Sequence, residues 1–257
     1  MPDTSPDFVV RLARDPAEVQ AAQHLRYRVF VQELGGDGEM VDHDLQIEAD
    51  RFDPYFDHLL LLDTQRGESV RDQVVGVYRL LSEEGAAQAG SFYSDHEYDL
   101  SLLRKSGRKL LELGRSCLHP DYRGGVGMML MWQALSDYVA ERGIDLLFGT
   151  ASFHGTDIDT LAPSLSLLHH RHLAPADIRV RTQPDAYQPM DLIAEDQLDR
   201  VAAMRNVPAL IKGYLRLGGY VGDGAYIDHA FNTTDVFLIL DTARITDTQA
   251  RIYKGGK

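Results

Sequence analysis

The chain has 257 residues, of which 44% are hydrophobic and 25% charged, which excludes a disordered, collagen-like or coiled-coil protein. Lys and Arg number 26 against 39 Asp and Glu, and the resulting net charge of −13 argues against general nucleic-acid binding. The single cysteine, Cys117, excludes an internal disulfide and fits a cytoplasmic location. No signal peptide and no membrane-spanning run are expected, so any membrane contact would be peripheral, at the inner membrane.

Hydrophobic periodicity predicts strands that alternate with helices. Strands are expected at 8–12, 58–62, 74–81, 110–118, 146–148 and 236–240. Helices are expected from the Asp15 cap to about Phe30, over 126–142 up to Gly143, from Asp157 or Asp159 to about His172, and over 197–217 with a break at Pro208. The segments 35–57 and 174–191 are expected to be loops. This order predicts a mixed α/β layered fold.

A glycine-rich turn follows a predicted strand and opens a long predicted helix, in the sequence ELGRSCLHPDYRGGVG at 112–127. Backbone N–H groups at such a turn bind phosphate or pyrophosphate, although the same glycines also suit a simple turn. The segment resembles the cofactor-binding segment of the GNAT acyltransferase superfamily, which usually reads Arg-x-x-Gly-x-Gly/Ala. Arg123-Gly124-Gly125-Val126-Gly127 is one residue short of that pattern. Relatives that take acyl groups from acyl carrier protein relax this loop.

Four further motifs occur in a fixed order: LRYRVFVQELG, EADRFD, GVYRLL and ELGR. They resemble the acyl-homoserine-lactone synthases and the related bacterial L-ornithine Nα-acyltransferases. The matching positions are Arg26, Phe30, Asp50, Asp53, Arg79, Glu112 and Arg115. The segments 149–157, 207–218 and 228–235 resemble the ornithine branch. The lactone synthases lack the C-terminal part of this chain.

The resemblance implies one GNAT-like domain over 1–257, with a mixed, strongly twisted sheet flanked by helices and a C-terminal helical extension from about 190. It implies transfer of a 3-hydroxyacyl group from acyl carrier protein to the α-amine of ornithine, giving a lyso-ornithine lipid. The donor arm is 4'-phosphopantetheine, with CoA as an alternative, and no permanently bound cofactor and no metal are expected. The donor arm is expected to pair with one of the parallel strands 110–118 and 146–150.

Site residues follow from the same motifs. Glu112 is expected to be the general base or to position a water, or alternatively to pair with Arg115 or Arg79. Ser152 and His154 are expected to contact the amine, the thioester or the leaving thiol. Contacts with the acyl donor are predicted at Leu118, Arg123, Gly124, Gly125 and Gly127.

The acceptor amino acid is expected to contact a second set of residues: Arg26, Phe30, Asp50, Asp53, Arg79 and Arg115. The carboxylates of Asp50 and Asp53 suit the amines of the acceptor, and the arginines suit its carboxylate. Alternatively, these charges form internal ion pairs that order the acidic loop.

Three remaining features have weaker functional interpretations. Cys117 is expected to be a packed strand residue, and the histidines at 169, 170 and 172 are expected to be solvated or capping. A basic run suggests a docking face for the acidic acyl carrier protein, with a solvated connector as the alternative. The run comprises Arg104, Lys105, Arg108, Lys109, Arg115 and Arg123.

Three alternatives to the ornithine reaction stay open from the sequence. The acceptor is another amino acid such as glutamine, or the chain is an acyl-homoserine-lactone synthase, or it is a non-catalytic module that binds acyl carrier protein.

Overall fold

A computed structural model describes residues 5–245 of the chain. Among these residues, the strands are β1 (Phe8–Leu12), β2 (Asp57–Asp63), β3 (Val74–Ser82), β4 (Tyr98–Asp99), β5 (Leu110–Leu118), β6 (Leu146–His154), β7 (Arg181–Thr182), β8 (Tyr220–Asp228) and β9 (Thr233–Asp241). The α-helices are α1 (Pro16–Arg26), α2 (Val70–Gln73), α3 (Glu83–Ala89), α4 (Ser101–Lys105), α5 (Gly127–Arg142), α6 (Ile158–His172), α7 (Arg200–Asn206) and α8 (Ala209–Arg216).

Contacts divide the described chain into two compact units, and one of the divisions along the chain falls within β5, between Glu112 and Leu113. The first unit comprises 5–89 and 113–143, and the second comprises 90–112 and 144–245. The prediction of a single domain stays a prediction.

The first unit is built on an antiparallel β1–β2–β3 sheet. The middle of β2 is fully apolar, and Leu60 is completely buried there against Ala22 of α1 and Val77 of β3. Helix α1 begins where Asp15 accepts a hydrogen bond from the N–H of Glu18, as predicted. It continues beyond the expected end as a π-helix over Tyr27–Glu33.

The second unit is built on a mixed sheet. The first residues of β5 pair in parallel with β6, at Leu110–Glu112 against Leu146–Phe148, so the predicted parallel pair is confirmed. Strand β9 runs antiparallel to both β6 and β8. The predicted fold class, a mixed α/β sheet flanked by helices, is confirmed.

Most predicted elements have the expected positions. β1 and β5 match their predicted bounds, α5 ends at Gly143 with a φ of 61°, and Asp157 caps α6. Pro208 separates α7 from α8 as expected.

One long strand, β8, was absent from the prediction. Two glycines, Gly222 and Gly224, interrupt its apolar alternation, and the register with β9 shifts between Val221 and Ala225. Such a bulge hides the period-2 pattern. The expected helical extension from about 190 is corrected for its described part, because 190–245 contains β8 and β9 as well as α7 and α8.

Candidate functional site

The first unit contains a buried group of charged side chains, which we call the arginine–carboxylate cluster. Its members are Arg26, Glu48, Asp50, Asp53, Arg79 and Arg115. Arg26 ends α1, Arg79 lies on β3 and Arg115 lies on β5, while the three carboxylates come from the loop before β2. The structure thus brings together five residues that the motifs singled out.

Direct ion pairs join these residues. Arg26 binds Glu48 through Nε and binds Oδ1 of Asp53 through a terminal nitrogen at 2.5 Å. Arg79 donates from one terminal nitrogen to Asp50 and to Asp53, at 2.7 Å each. Three guanidinium groups therefore face three carboxylates, and the cluster has no net charge when all are ionised.

Arg115 completes the cluster from an unusual backbone conformation. Its φ of 50° lies in the left-handed region, in the middle of β5. Its Nε lies 3.2 Å from Oε1 of Glu48, and a terminal nitrogen lies 3.6 Å from Asp50. This side of the cluster is its more accessible one, because Arg115 and Asp50 are 15% and 17% exposed, whereas Arg26 is fully buried.

The pKa values follow from burial and these charges. Burial alone would raise the pKa of Glu48, but Arg26 and Arg115 outweigh it and lower that pKa to about 2. Burial likewise opposes ionisation of Asp53, and the charges of Arg26 and Arg79 hold its pKa well below the usual range. Both carboxylates are therefore ionised at neutral pH.

Glu48 is the member of the cluster that sequence reasoning missed. It is only 1% exposed. In the sequence it is the first residue of the EADRFD motif, but only Asp50 and Asp53 of that motif were predicted as site residues. The signal that was available is charge balance, since three arginines in buried motifs require three acidic partners.

The contacts of Asp50 and Asp53 correspond to the ion-pair alternative, in which arginines order the acidic loop. Phe30 is half-buried and packs against the apolar residues around α1 and β3. Binding of the acceptor by these residues stays a prediction.

Glu112, the predicted base, is fully buried in the second unit. Its two oxygens accept hydrogen bonds from the N–H of Tyr93 at 2.6 Å, the N–H of Ser94 at 2.8 Å and the hydroxyl of Ser94. Burial raises its pKa to about 7, although these hydrogen bonds favour the ionised form. Its hydrogen bonds are with the Tyr93–His96 turn, and the alternative of a pair with Arg115 or Arg79 stays a prediction.

Ser152 and His154 lie on β6 and are exposed. Ser152 is paired in register with Asp235 of β9, and its side chain favours the ionised form of the Asp235 carboxyl group. Burial, together with the smaller effect of the nearby Glu97 charge, raises the pKa of Asp235 to about 7. The segment 228–235, which ends at Asp235, was predicted only to resemble the ornithine branch. Neither Asp235 nor Glu97 was predicted as a site residue.

The glycine-rich turn lies in the first unit, at the start of α5. Gly124 has a φ of 75° and opens the turn, and Gly127 packs so closely that an added Cβ would lie 3.0 Å from Leu61. Arg123 binds Glu33 with two hydrogen bonds of 2.6 and 2.7 Å and also donates to the carbonyl of Leu118. Val126, the residue before α5, makes no side-chain hydrogen bond to the helix, and the first N–H groups of a helix suit an anion.

The basic run is distributed over both units. Arg115 and Arg123 belong to the first, and the segment from Arg104 to Lys109 belongs to the second. Arg104 binds Asp95 at 2.5 Å and Arg108 binds Asp241 at 2.8 Å. Part of the positive charge is therefore neutralised internally, and docking of acyl carrier protein stays a prediction.

Cys117 is buried as expected, and burial raises its thiol pKa to about 12. A thiol of this kind is a poor nucleophile. Within residues 5–245, no helix has the length and hydropathy that crossing a membrane would require.

Comparisons with known proteins agree with these features. The Acetyltransferase (GNAT) domain family matches residues 25–133. The L-ornithine N(alpha)-acyltransferase of Rhodobacter capsulatus is 54% identical over 96% of this chain and 94% of its own length. That of Brucella abortus is 46% identical over 95% of this chain and 88% of its own length.

Two solved structures have the same fold. The CoA-dependent acyl-homoserine lactone synthase BjaI superposes with a TM-score of 0.53 at 12% identity, covering 96% of this chain and 88% of its own. The N-acyl amino acid synthase FeeM, from uncultured soil microbes, gives a TM-score of 0.50 at 13% identity, covering 94% and 93%. Identity over nearly the whole length, together with the GNAT-type fold, shows that this chain is an acyltransferase of the L-ornithine N(alpha)-acyltransferase family.

Proposed function

We propose that the protein transfers a 3-hydroxyacyl group from acyl carrier protein to the α-amine of ornithine, giving a lyso-ornithine lipid. The observation that carries the proposal is the set of relatives named L-ornithine N(alpha)-acyltransferase, which are 40% to 54% identical over at least 95% of this chain. The donor is the 4'-phosphopantetheine arm of the carrier protein, with CoA thioesters as the alternative donor.

The reaction requires a proton acceptor, because the α-amine of an amino acid is mostly protonated at neutral pH and only the free amine attacks a thioester. A buried carboxyl group with a pKa of about 7 suits this role, and Glu112 has that property. Both of its oxygens already accept hydrogen bonds from Tyr93 and Ser94. In the proposed mechanism a water molecule therefore relays the proton to Glu112.

The donor requires two further kinds of contact. An extended pantetheine arm needs backbone groups with which to pair, and the parallel strands β5 and β6 are the predicted partners. Its phosphate needs N–H donors and a cation, which Gly124, Gly125, Gly127 and Arg123 offer at the start of α5. The loop is one residue shorter than the CoA-binding pattern, which favours a donor without the adenosine diphosphate part.

The donor and the acceptor are both cytoplasmic molecules, so the proposed location is the cytoplasm. The product carries an acyl chain, so peripheral contact with the inner membrane is part of the proposal.

A mass-spectrometric assay tests the proposal. Purified protein is incubated with 3-hydroxyacyl carrier protein and single amino acids, and S-adenosylmethionine is included in a separate reaction. We expect an N-acylornithine product that is lost in Glu112→Ala. The matched control is Glu141→Ala, which removes an exposed glutamate of α5 and should leave the product unchanged.

Other outcomes would replace the proposal. A product formed only with another amino acid changes the acceptor and keeps the chemistry. A lactone formed from S-adenosylmethionine identifies a lactone synthase. Carrier protein that binds without turnover of any acceptor identifies a non-catalytic module.

A further inference from the structure

Strand β9 carries two buried aspartates with opposite surroundings. Asp241 is 3% exposed and forms ion pairs with Arg108 at 2.8 Å and Arg244 at 3.3 Å. Asp235 is 6% exposed and forms no ion pair with any residue in 5–245. The side chains of Ser152 and Thr233 favour its ionised form and so lower its pKa, but its Oδ1 has no hydrogen-bond partner among the described residues.

A second buried carboxylate lies close to Asp235. Glu97 is 1% exposed. Burial is the largest cause of the raised pKa of Asp235, and the charge of Glu97 is the second largest. Tyr98, next to Glu97 in the chain, donates a hydrogen bond of 2.9 Å to the carbonyl of Asp235 and so fixes the two segments together. His96 is the cationic partner of Glu97, at 3.2 Å, and it is half-exposed.

Residues that reach the surface lie next to the two acids. Ser152 and His96 are exposed, and Tyr226, paired in register with Asp235, is half-buried. Burial raises the pKa of Tyr226, and so do the charges of Glu97, Asp228 and Asp235. Negative charge is therefore concentrated around one short stretch of β8 and β9, next to the accessible side chains of Ser152, His96 and Tyr226.

A buried carboxylate that lacks a cation is costly, and a protein retains it where a ligand supplies the cation. Ornithine has a second ammonium group at the end of its side chain, with three N–H donors. We propose that Asp235 and Glu97 bind the δ-ammonium group of the acceptor, and that Asp235 determines the preference for a diamino acid. This inference rests on the proposed function.

The carboxylates that the sequence suggested for this role are less suited to it. Asp50 and Asp53 already bind Arg79 at 2.7 Å, so an incoming ammonium group would compete with a guanidinium. Asp235 has no such competitor among residues 5–245. The proposal therefore assigns the recognition of the acceptor's side chain to the second unit.

Competition between ornithine and norvaline tests the proposal, because norvaline has the same carbon chain and lacks only the δ-amine. We expect Asp235→Asn to lower kcat/KM for ornithine by on the order of 10- to 100-fold, the usual effect of losing a hydrogen bond to a charged group. The value for norvaline should change little. Glu97→Gln should act in the same direction and provides a second, independent variant.

The matched control is Asp241→Asn, which removes a buried carboxylate at the other end of the same strand. Because it leaves Arg108 unpaired, we expect a lower unfolding temperature and an unchanged ornithine-to-norvaline ratio. Asp235→Asn should unfold at the wild-type temperature or above it, since it removes a buried carboxyl group that has no cationic partner among the described residues. Stability and specificity should thus change separately in the two variants.

Two results would overturn the proposal. An equal loss for both acceptors would place Asp235 at the reacting amine, and unchanged kcat/KM values for both acceptors would remove it from recognition. Calorimetric titration with ornithine and norvaline, without donor, judges binding apart from turnover. Ornithine-selective binding that is lost in Asp235→Asn supports the site even where no acylornithine forms, a result that would reject only the proposed function. Acylornithine formation with an unchanged ratio rejects only the site.

Discussion

Replacing Glu48 by glutamine should destabilise the first unit by about 3 kcal/mol at pH 7. Burial opposes its ionisation, yet Arg26 and Arg115 lower its pKa to about 2 from the ordinary 4.5. A difference of about 2.5 pH units, at about 1.4 kcal/mol each, gives roughly 3 kcal/mol. Removing one partner from a buried ion pair costs about 3–5 kcal/mol, which agrees with this value.

The effect has a defined pH dependence. Because the pKa of Glu48 is lower in the folded state, its stabilisation is present above pH 4.5 and is lost as the pH falls towards 2. About 1 kcal/mol of it should be lost by pH 4 and about 2 kcal/mol by pH 3. The difference between the wild type and Glu48→Gln should shrink accordingly.

Urea unfolding followed by tryptophan fluorescence measures this effect. Trp132 is the only tryptophan in the sequence, and it is buried on α5 in the first unit. The control is Glu33→Gln, which breaks the more exposed ion pair with Arg123 and should cost less than about 1 kcal/mol. A loss no larger than that of the control, or a loss that is constant from pH 7 to pH 3, would refute the reasoning.

Three other predictions concern the bulge in β8, the acyl donor and the proposed base Glu112. Gly224→Ala should lower the free energy of unfolding by about 3 kcal/mol, as measured by thermal unfolding. Gly224 has a φ of 88°, and its added Cβ would lie 2.5 Å from a tyrosine ring. The control Gly107→Ala, at a φ of 67° but in open space, should cost only about 1 kcal/mol. Replacing Arg104 and Lys105 together by Glu should raise KM for acyl carrier protein about tenfold at low salt and less at high salt, and an unchanged KM would reject a docking face there. Since burial raises the pKa of Glu112 to about 7, kcat/KM should rise with pH through that value, and Glu112→Gln should lose this rise; a variant that keeps it would assign the titration to another group.

Local signals in the sequence were sufficient for much of the fold. Asp15 caps α1 through the N–H of Glu18, and Gly143 ends α5 in a left-handed conformation, because these residue types have strong preferences at helix ends. The strand β8 could not be found in this way. Its bulge depends on pairing with β9, which is distant information that a local window does not contain.

The candidate site was predictable to the level of motifs. The motifs identified Arg26, Arg79 and Arg115, and the structure joins them through shared carboxylates. They did not distinguish a carboxylate that binds an arginine from one that binds a substrate, because both kinds are acids in a conspicuous segment. Glu48 was passed over for the same reason.

Burial and the contacting groups together distinguish three acids that the sequence alone does not distinguish. Glu48 is buried and its charge is matched by arginines, so it stabilises the fold. Glu112 is buried and receives N–H donors, so it can hold or release a proton near pH 7. Asp235 is buried, and one of its oxygens has no hydrogen-bond partner among the described residues. A bound cation would therefore stabilise its ionised form. We therefore propose three different roles for three acids of similar sequence character, and the variants above test them by stability, by pH profile and by the choice of acceptor.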